Sequence, residues 1–190
     1  MRLVAPLESD NYLLREIVPE DEEGLWLLDS DPEVHRYLGN EPVTHIERIR
    51  EVIALIRKQY QDYGIGRWAV VHKASGTFVG WCGLKFIVNA EEGQPGTYDL
   101  GYRLRREWWG KGIATECGKL CLDYGLNQLQ LEQIFARAHT DNAGSNRVLQ
   151  KLGFTRTGTG ISHGEPTHFY RYSAKTNNNN PDHFEPEIKV

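Results

Sequence analysis

Cysteine is scarce in this chain: Cys82, Cys117 and Cys121 are the only three among 190 residues. An odd, low count excludes a disulfide framework and suits a reducing compartment. Cys117 and Cys121 are four apart and share one face of a helix. No C-x-x-C or H-E-x-x-H accompanies them, so they are expected to be buried core thiols, and no metal site is expected. Long apolar runs are also missing, since none approaches the roughly 20 residues of a membrane helix. The opening segment from Met1 to Asp10 turns acidic too early for a secretory leader. A cytoplasmic location with no membrane partner is therefore expected. No internal repeat is visible. The one low-complexity stretch, Asn177–Asn180 followed by Pro181, is expected to link into a polar tail over 175–190, outside the domain.

An excess of positive charge is absent as well. The net charge is −4, and residues 1–63 hold 14 acidic against 7 basic side chains. That front argues against general nucleic-acid binding. The balance reverses between 99 and 122, where Arg103, Arg105, Arg106, Lys111 and Lys119 gather. What remains is ordinary for a globular chain, with 39% hydrophobic and 25% charged residues. The length fits one domain with a core that needs no covalent staples.

The pattern along the chain is mixed. Tyr12–Glu16 reads as a strand. Pro19 followed by four acidic residues opens a short helix, and Pro32 opens another. Thr44 with Glu47 three residues on predicts a capping box. Ile46, Ile49, Ile53, Ile56 and Tyr60 then recur at helical steps as far as Gly64. Residues 68–71 and 77–84 read as hairpin strands around Ala74-Ser75-Gly76, and Tyr98–Leu104 as the next strand. From Gly112, the positions Ile113, Cys117, Leu120, Cys121 and Tyr124 form one helical stripe. Gln133–His139 reads as a strand and 142–152 as a helix closed by Gly153. Residues 155–159 and 167–173 close the domain as strands. The expected class is α/β in the mixed α+β sense, with a central mixed sheet and flanking helices rather than a doubly wound sheet.

The chemistry concentrates after the Tyr98–Leu104 strand. Gly110, Lys111, Gly112, Ile113, Ala114 and Thr115 lie where a strand ends and a helix begins. Glycines there let backbone N–H groups approach a phosphate at the positive end of a helix dipole. The loop lacks the Walker pattern and matches a dinucleotide fingerprint poorly, because Thr115 replaces the third glycine. Aromatic residues, Trp81 and Trp109 among them, and the histidines His139, His163 and His168 have no metal spacing and are expected to serve packing or surface.

The six residues Trp109 to Ala114 resemble the pyrophosphate motif of the GCN5-related N-acetyltransferases, with Trp109 where Gln or Arg is usual. The longer string from Glu107 to Glu116, and the block from Asp141 to Phe154 with its Asn-x-x-Ser and Lys-Leu-Gly-Phe, are similar to the RimJ/RimL-like ribosomal-protein branch. The resemblance spans about residues 8–174. It implies an acyl-CoA N-acyltransferase fold in which two parallel strands splay apart around acetyl-CoA as co-substrate. It further implies an amine acceptor, either a protein N-terminus or a small molecule, attacked directly in a ternary complex. A homodimer is common in similar proteins. The backbone of Arg103, Leu104 and Arg105 would pair with the pantetheine arm, and Gly110–Thr115 would hold the pyrophosphate. Asn142 and Ser145 would meet the arm from the next helix. Asp99 stands where that branch has Glu and would act as base through a water. Leu149 replaces the tyrosine that many members use as acid, which leaves Ser145 as the candidate donor. That replacement also keeps open a non-catalytic acyl-CoA-binding module.

Overall fold

The structure, a computed structural model, describes residues 6–89 and 94–174. The expected tail from residue 175 onward lies outside them.

The strands and helices follow the alternation of the sequence closely. They are β1 (Leu7–Glu8), β2 (Tyr12–Glu16), α1 (Glu22–Asp29), α2 (Pro32–His35), α3 (Ile46–Tyr63), β3 (Arg67–His72) and β4 (Thr77–Phe86). Then come β5 (Tyr98–Leu104), α4 (Ile113–Asn127), β6 (Gln133–His139), α5 (Ala143–Lys151), β7 (Thr155–Ser162) and β8 (Glu165–Ser173). The helix after Pro19 begins as a 3-10 turn, Pro19–Asp21, before α1. Asp21 anchors that turn by accepting from the backbone N–H of Val18 and from both terminal nitrogens of Arg15.

Helix α3 corrects one expectation. It starts after His45 with no side-chain cap, so the Thr44–Glu47 capping box does not form. The apolar face carries the helix instead, burying Ile49, Ile53 and Tyr60. This agrees with the rule that tertiary packing outweighs local signals in a long amphipathic helix. Its end at Gly64 is as expected, with φ +68° and the N–H bonded to Tyr60 O.

The eight strands form one sheet in the order β1-β2-β3-β4-β5-β6-β8-β7. Every neighbouring pair is antiparallel except β5 and β6. Helices cover both faces. On one, α4 and α5 pack Ile113, Cys117, Cys121, Leu149 and Leu152 against Leu84, Leu100, Ile134 and Ala136. On the other, α1, α2 and α3 bury Leu25, Leu28, Val34, Ile49 and Ile53 around Ile17 and Ala69. All three cysteines are buried free thiols, with Cys82 and Cys121 sulfurs 3.6 Å apart. Among the described residues no helix is long and apolar enough to cross a membrane.

The pair β5–β6 positions everything that follows. The two strands are in register only at Asp99↔Phe135. Beyond that point the strands part toward their C-terminal ends, while the outer edge of β5 stays fully paired to β4 through Gly80↔Leu104. Strand alternation then sorts the side chains of β5. Tyr98, Leu100, Tyr102 and Leu104 join the α4–α5 core, so Asp99, Gly101 and Arg103 stand on the opposite face.

Candidate active site

The gap between β5 and β6 opens into a cavity of about 1310 Å³. Ligand pockets usually run to roughly 300–1,000 Å³, so this one has room for more than a single small molecule. Asp99, Arg103, Leu104, Gly110 and Gly112–Thr115 line it from one side, and Asn142 and Ser145 from the other. Arg105 and Lys111 are not among its walls.

The glycine loop has the geometry of an anion cradle. Gly110 and Gly112 adopt φ +73° and +79°, values that a side chain tolerates poorly, and no atom stands within 4 Å of where a Cβ would project. Gly112 is the N-cap of α4 and supplies no side-chain cap. Thr115 N–H already donates to Gly112 O at 3.0 Å, so the N–H groups of Ile113 and Ala114, at the very start of the helix, are the ones a ligand could take. Helix α5 is the contrast: the side chain of Asn142 accepts from Ser145 N at 3.0 Å and closes its start. Asn142 is therefore a cap in this fold.

Two tryptophans brace the loop. Trp109 donates its indole N–H to Leu104 O at 2.7 Å, tying the loop to the end of β5. Lys111 Nζ lies 4.7 Å from the Trp108 ring centre, so its ammonium rests on an aromatic face. The end of β5 is further fixed by Arg105. Its N–H donates to Val79 O, its carbonyl accepts from Trp108 N, and its side chain reaches Phe78 O and Glu107. The Arg105 N–H is therefore already spent within the sheet.

Charge is concentrated on the α1–α2 face of the gap. Asp99 accepts from Arg67 Nη2 at 2.8 Å, and Arg67 Nη1 donates to Asp99 O at 2.7 Å and to Gly83 O. Arg103 Nη1 donates to Asp29 Oδ1 at 2.6 Å. Burial alone would push the Asp29 carboxyl up, but the His35 ring and the Arg103 guanidinium hold it below the usual carboxylate range. His35 Nε2 is 3.6 Å from that oxygen, beyond hydrogen-bond length, so Arg103 is the main partner. Arg67 and Arg103 each stand 5.3 Å from the Trp81 ring centre. The floor is thus an indole bearing two guanidinium groups, each neutralised by an aspartate.

Opposite this floor, His139 accepts from Asp141 N through Nδ1 and faces Glu165 at 3.4 Å through Nε2. Tyr37 tilts against its ring at 5.3 Å. His163, at φ +51° in the β7–β8 turn, also lines the cavity. His168 bonds to Thr159 on the hairpin and does not. On the α5 side, Tyr102 Oη is 3.0 Å from both Ser145 Oγ and Ser145 O.

Arg67 and Tyr102 escaped the reading of the sequence. A signal for Arg67 exists in two strand glycines. Gly83 and Gly101 face each other across β4–β5, and a Cβ on Gly101 would lie 2.8 Å from Arg67 Nη2. Glycine inside a strand marks a close approach; here the approaching group is this guanidinium. Tyr102 carried no such mark, because an aromatic residue in a strand reads as core.

The residues fit a phosphorylated, extended acyl carrier: an uncapped helix start behind two left-handed glycines, then an open strand edge. Among the described residues no cluster of three His, Cys, Asp or Glu side chains is arranged to hold a metal. Comparison with known proteins agrees. Residues 11–155 match the acetyltransferase (GNAT) domain family. The uncharacterized N-acetyltransferase p20 of Bacillus licheniformis is 31% identical over 152 residues, covering 80% of this chain and 83% of that protein. Among solved structures, the ribosomal-protein-S5-alanine acetyltransferase of Vibrio fischeri superposes with a TM-score of 0.69 at 18% identity, over 91% of this chain and 98% of that one. Spermidine N-acetyltransferase of Vibrio cholerae, solved with CoA and spermine, superposes with a TM-score of 0.70 at 19% identity, over 87% and 96%. The uncapped glycine cradle, the parted strands and the family match together show that this chain belongs to the GNAT acetyltransferases and is an acetyl-CoA-dependent acyltransferase.

Proposed function

We propose that this chain moves the acetyl group of acetyl-CoA onto a primary amine by direct attack in a ternary complex. The observation that carries this is the β5–β6 gap, in register at one residue pair and open from there to the glycine loop. The N–H groups from Gly110 to Ala114 take the pyrophosphate, with Thr115 N–H holding Gly112 O behind them. The edge of β5 that faces the gap, ending at Arg103 and Leu104, takes the pantetheine arm alongside it. Ser145 meets the arm from α5, next to the Asn142 cap.

The amine then arrives from the α1–α2 face. Glu33, Glu41 and Asp99 are among the cavity's walls on that side, and Glu165 lies opposite them; these carboxylates suit an acceptor that enters as an ammonium ion. Such an ion must lose a proton before it attacks. Asp99 is short and held by Arg67, so it takes that proton through a water molecule. Ser145 Oγ–H donates to the sulfur as the C–S bond breaks. The acceptor is the α-amine of a protein N-terminus or a small amine; the folds this chain resembles include a ribosomal-protein-S5-alanine acetyltransferase and a spermidine N-acetyltransferase.

The test is thiol release from acetyl-CoA across a panel of polyamines, amino-terminal peptides and simple amines. Saturable release with at least one primary amine is expected. Binding of acetyl-CoA without release for any acceptor would overturn amine transfer and leave a binding module.

A further inference from the structure

Tyr102 on β5 and Ser145 in the first turn of α5 meet on the α4–α5 face of the sheet, beside the gap. The phenol has one proton, and two acceptors of Ser145 lie at 3.0 Å, the carbonyl and Oγ. Two arrangements follow. In one, Tyr102 donates to the Ser145 carbonyl and Ser145 donates to the phenol, which turns the serine proton away from the cavity. In the other, Tyr102 donates to Ser145 Oγ, and the serine proton is released toward the cavity. Burial pushes the Tyr102 hydroxyl far above its usual range, so the phenol keeps its proton and acts as a hydrogen-bond donor. Ser145 is the only hydroxyl residue within α5, and Leu149, one turn on, is buried and apolar.

We propose that Tyr102 is a positioning residue for acetyl transfer, which donates to Ser145 Oγ and so aims the serine O–H at the departing sulfur. This rests on the placement of the thioester beside Ser145 given above. The balance is simple. The amine nitrogen bonds to the carbonyl carbon, the C–S bond breaks with its electron pair on sulfur, and the proton lost by nitrogen equals the one the thiol finally gains. Ser145 and Tyr102 each keep their own proton and hydrogen-bond to the charge that grows on sulfur.

The experiment uses Tyr102→Phe, Ser145→Ala and the double variant in the full chain. Tyr102→Phe is expected to lower kcat about tenfold, the scale of a hydrogen bond to a charged group, with KM for acetyl-CoA within about twofold. The double variant should be no slower than Ser145→Ala alone, because Tyr102 acts through Ser145. A readout independent of turnover is calorimetric affinity for coenzyme A against desulfo-coenzyme A. Tyr102→Phe should weaken the first severalfold and leave the second unchanged. Additive losses in the double variant, or equal weakening of both ligands, would overturn the proposal and make Tyr102 structural. A slow Ser145→Ala beside an unimpaired Tyr102→Phe would overturn the proposal alone. A Ser145→Ala with normal kcat and normal coenzyme A affinity would remove the sulfur from this place and the underlying placement with it.

Discussion

Gly112→Ala separates what the glycine loop does for the fold from what it does for the substrate. At φ +79° an alanine pays the left-handed penalty of roughly 1–2 kcal/mol. No atom lies within 4 Å of the new methyl group, so no clash adds to it. At roughly 2–4 °C per kcal/mol for a domain of this size, the melting temperature should fall by a few degrees. Gly76, in the β3–β4 turn at φ +68° and equally free of neighbours, is the matched control. Gly76→Ala should lose about as much stability. The two must diverge when acetyl-CoA is added. At a hundred times its Kd, the ligand stabilises the parent and Gly76→Ala by about 2.7 kcal/mol. In Gly112→Ala the methyl group stands where the pyrophosphate meets the helix start. Losing one charge-assisted hydrogen bond there costs about 1.5 kcal/mol, or tenfold in Kd. The same ligand concentration is then ten times Kd, and the stabilisation falls to about 1.4 kcal/mol. The thermal shift should therefore roughly halve in one variant and persist in the other. An undiminished shift in Gly112→Ala would place the pyrophosphate elsewhere.

Asp99→Asn should reduce turnover about 100-fold, the lower end for a general base, and leave the acetyl-CoA thermal shift intact; unchanged turnover would leave Asp99 a structural partner of Arg67. Asp29→Asn should cost about 3 kcal/mol at neutral pH, because it strips Arg103 of a buried counter-charge. Since the folded state holds the Asp29 carboxyl below its usual range, its contribution is present above about pH 4 and fades as pH falls through and below that value. Urea midpoints measured across that window should therefore drop less steeply in Asp29→Asn, and parallel profiles would show that Asp29 adds nothing to acid unfolding.

Much of the fold was legible because it rests on local periodicity. The β6 strand, the α4 stripe and the Gly153 turn are all set by spacing that tertiary structure had no reason to override. The capping box at Thr44 failed for the opposite reason, since the buried face of α3 fixes the helix whatever stands at its start. The two left-handed turns of the loop were legible because glycine takes such dihedral angles most readily. The acceptor floor was not. Arg67, Trp81, Arg103 and Asp29 come from four separate elements, and their meeting depends on strand register and on a helix laid across the opposite face. Strand alternation predicts which side Asp99 and Arg103 share, but not that each would find an aspartate or arginine waiting there.

The single point of register between β5 and β6 also bears on where this sheet leaves its hydrogen-bonding groups open. A strand edge with free amide and carbonyl groups invites other chains to dock, and most proteins keep such edges short, charged or twisted away. Here the unpaired edge lies in the middle of the sheet, roofed by α4 and α5 and walled by β4 and β8. A narrow, flexible guest that threads the cavity meets this edge from inside the molecule. The sheet therefore keeps raw hydrogen-bonding capacity at its centre, where a guest meets it, rather than at its rim.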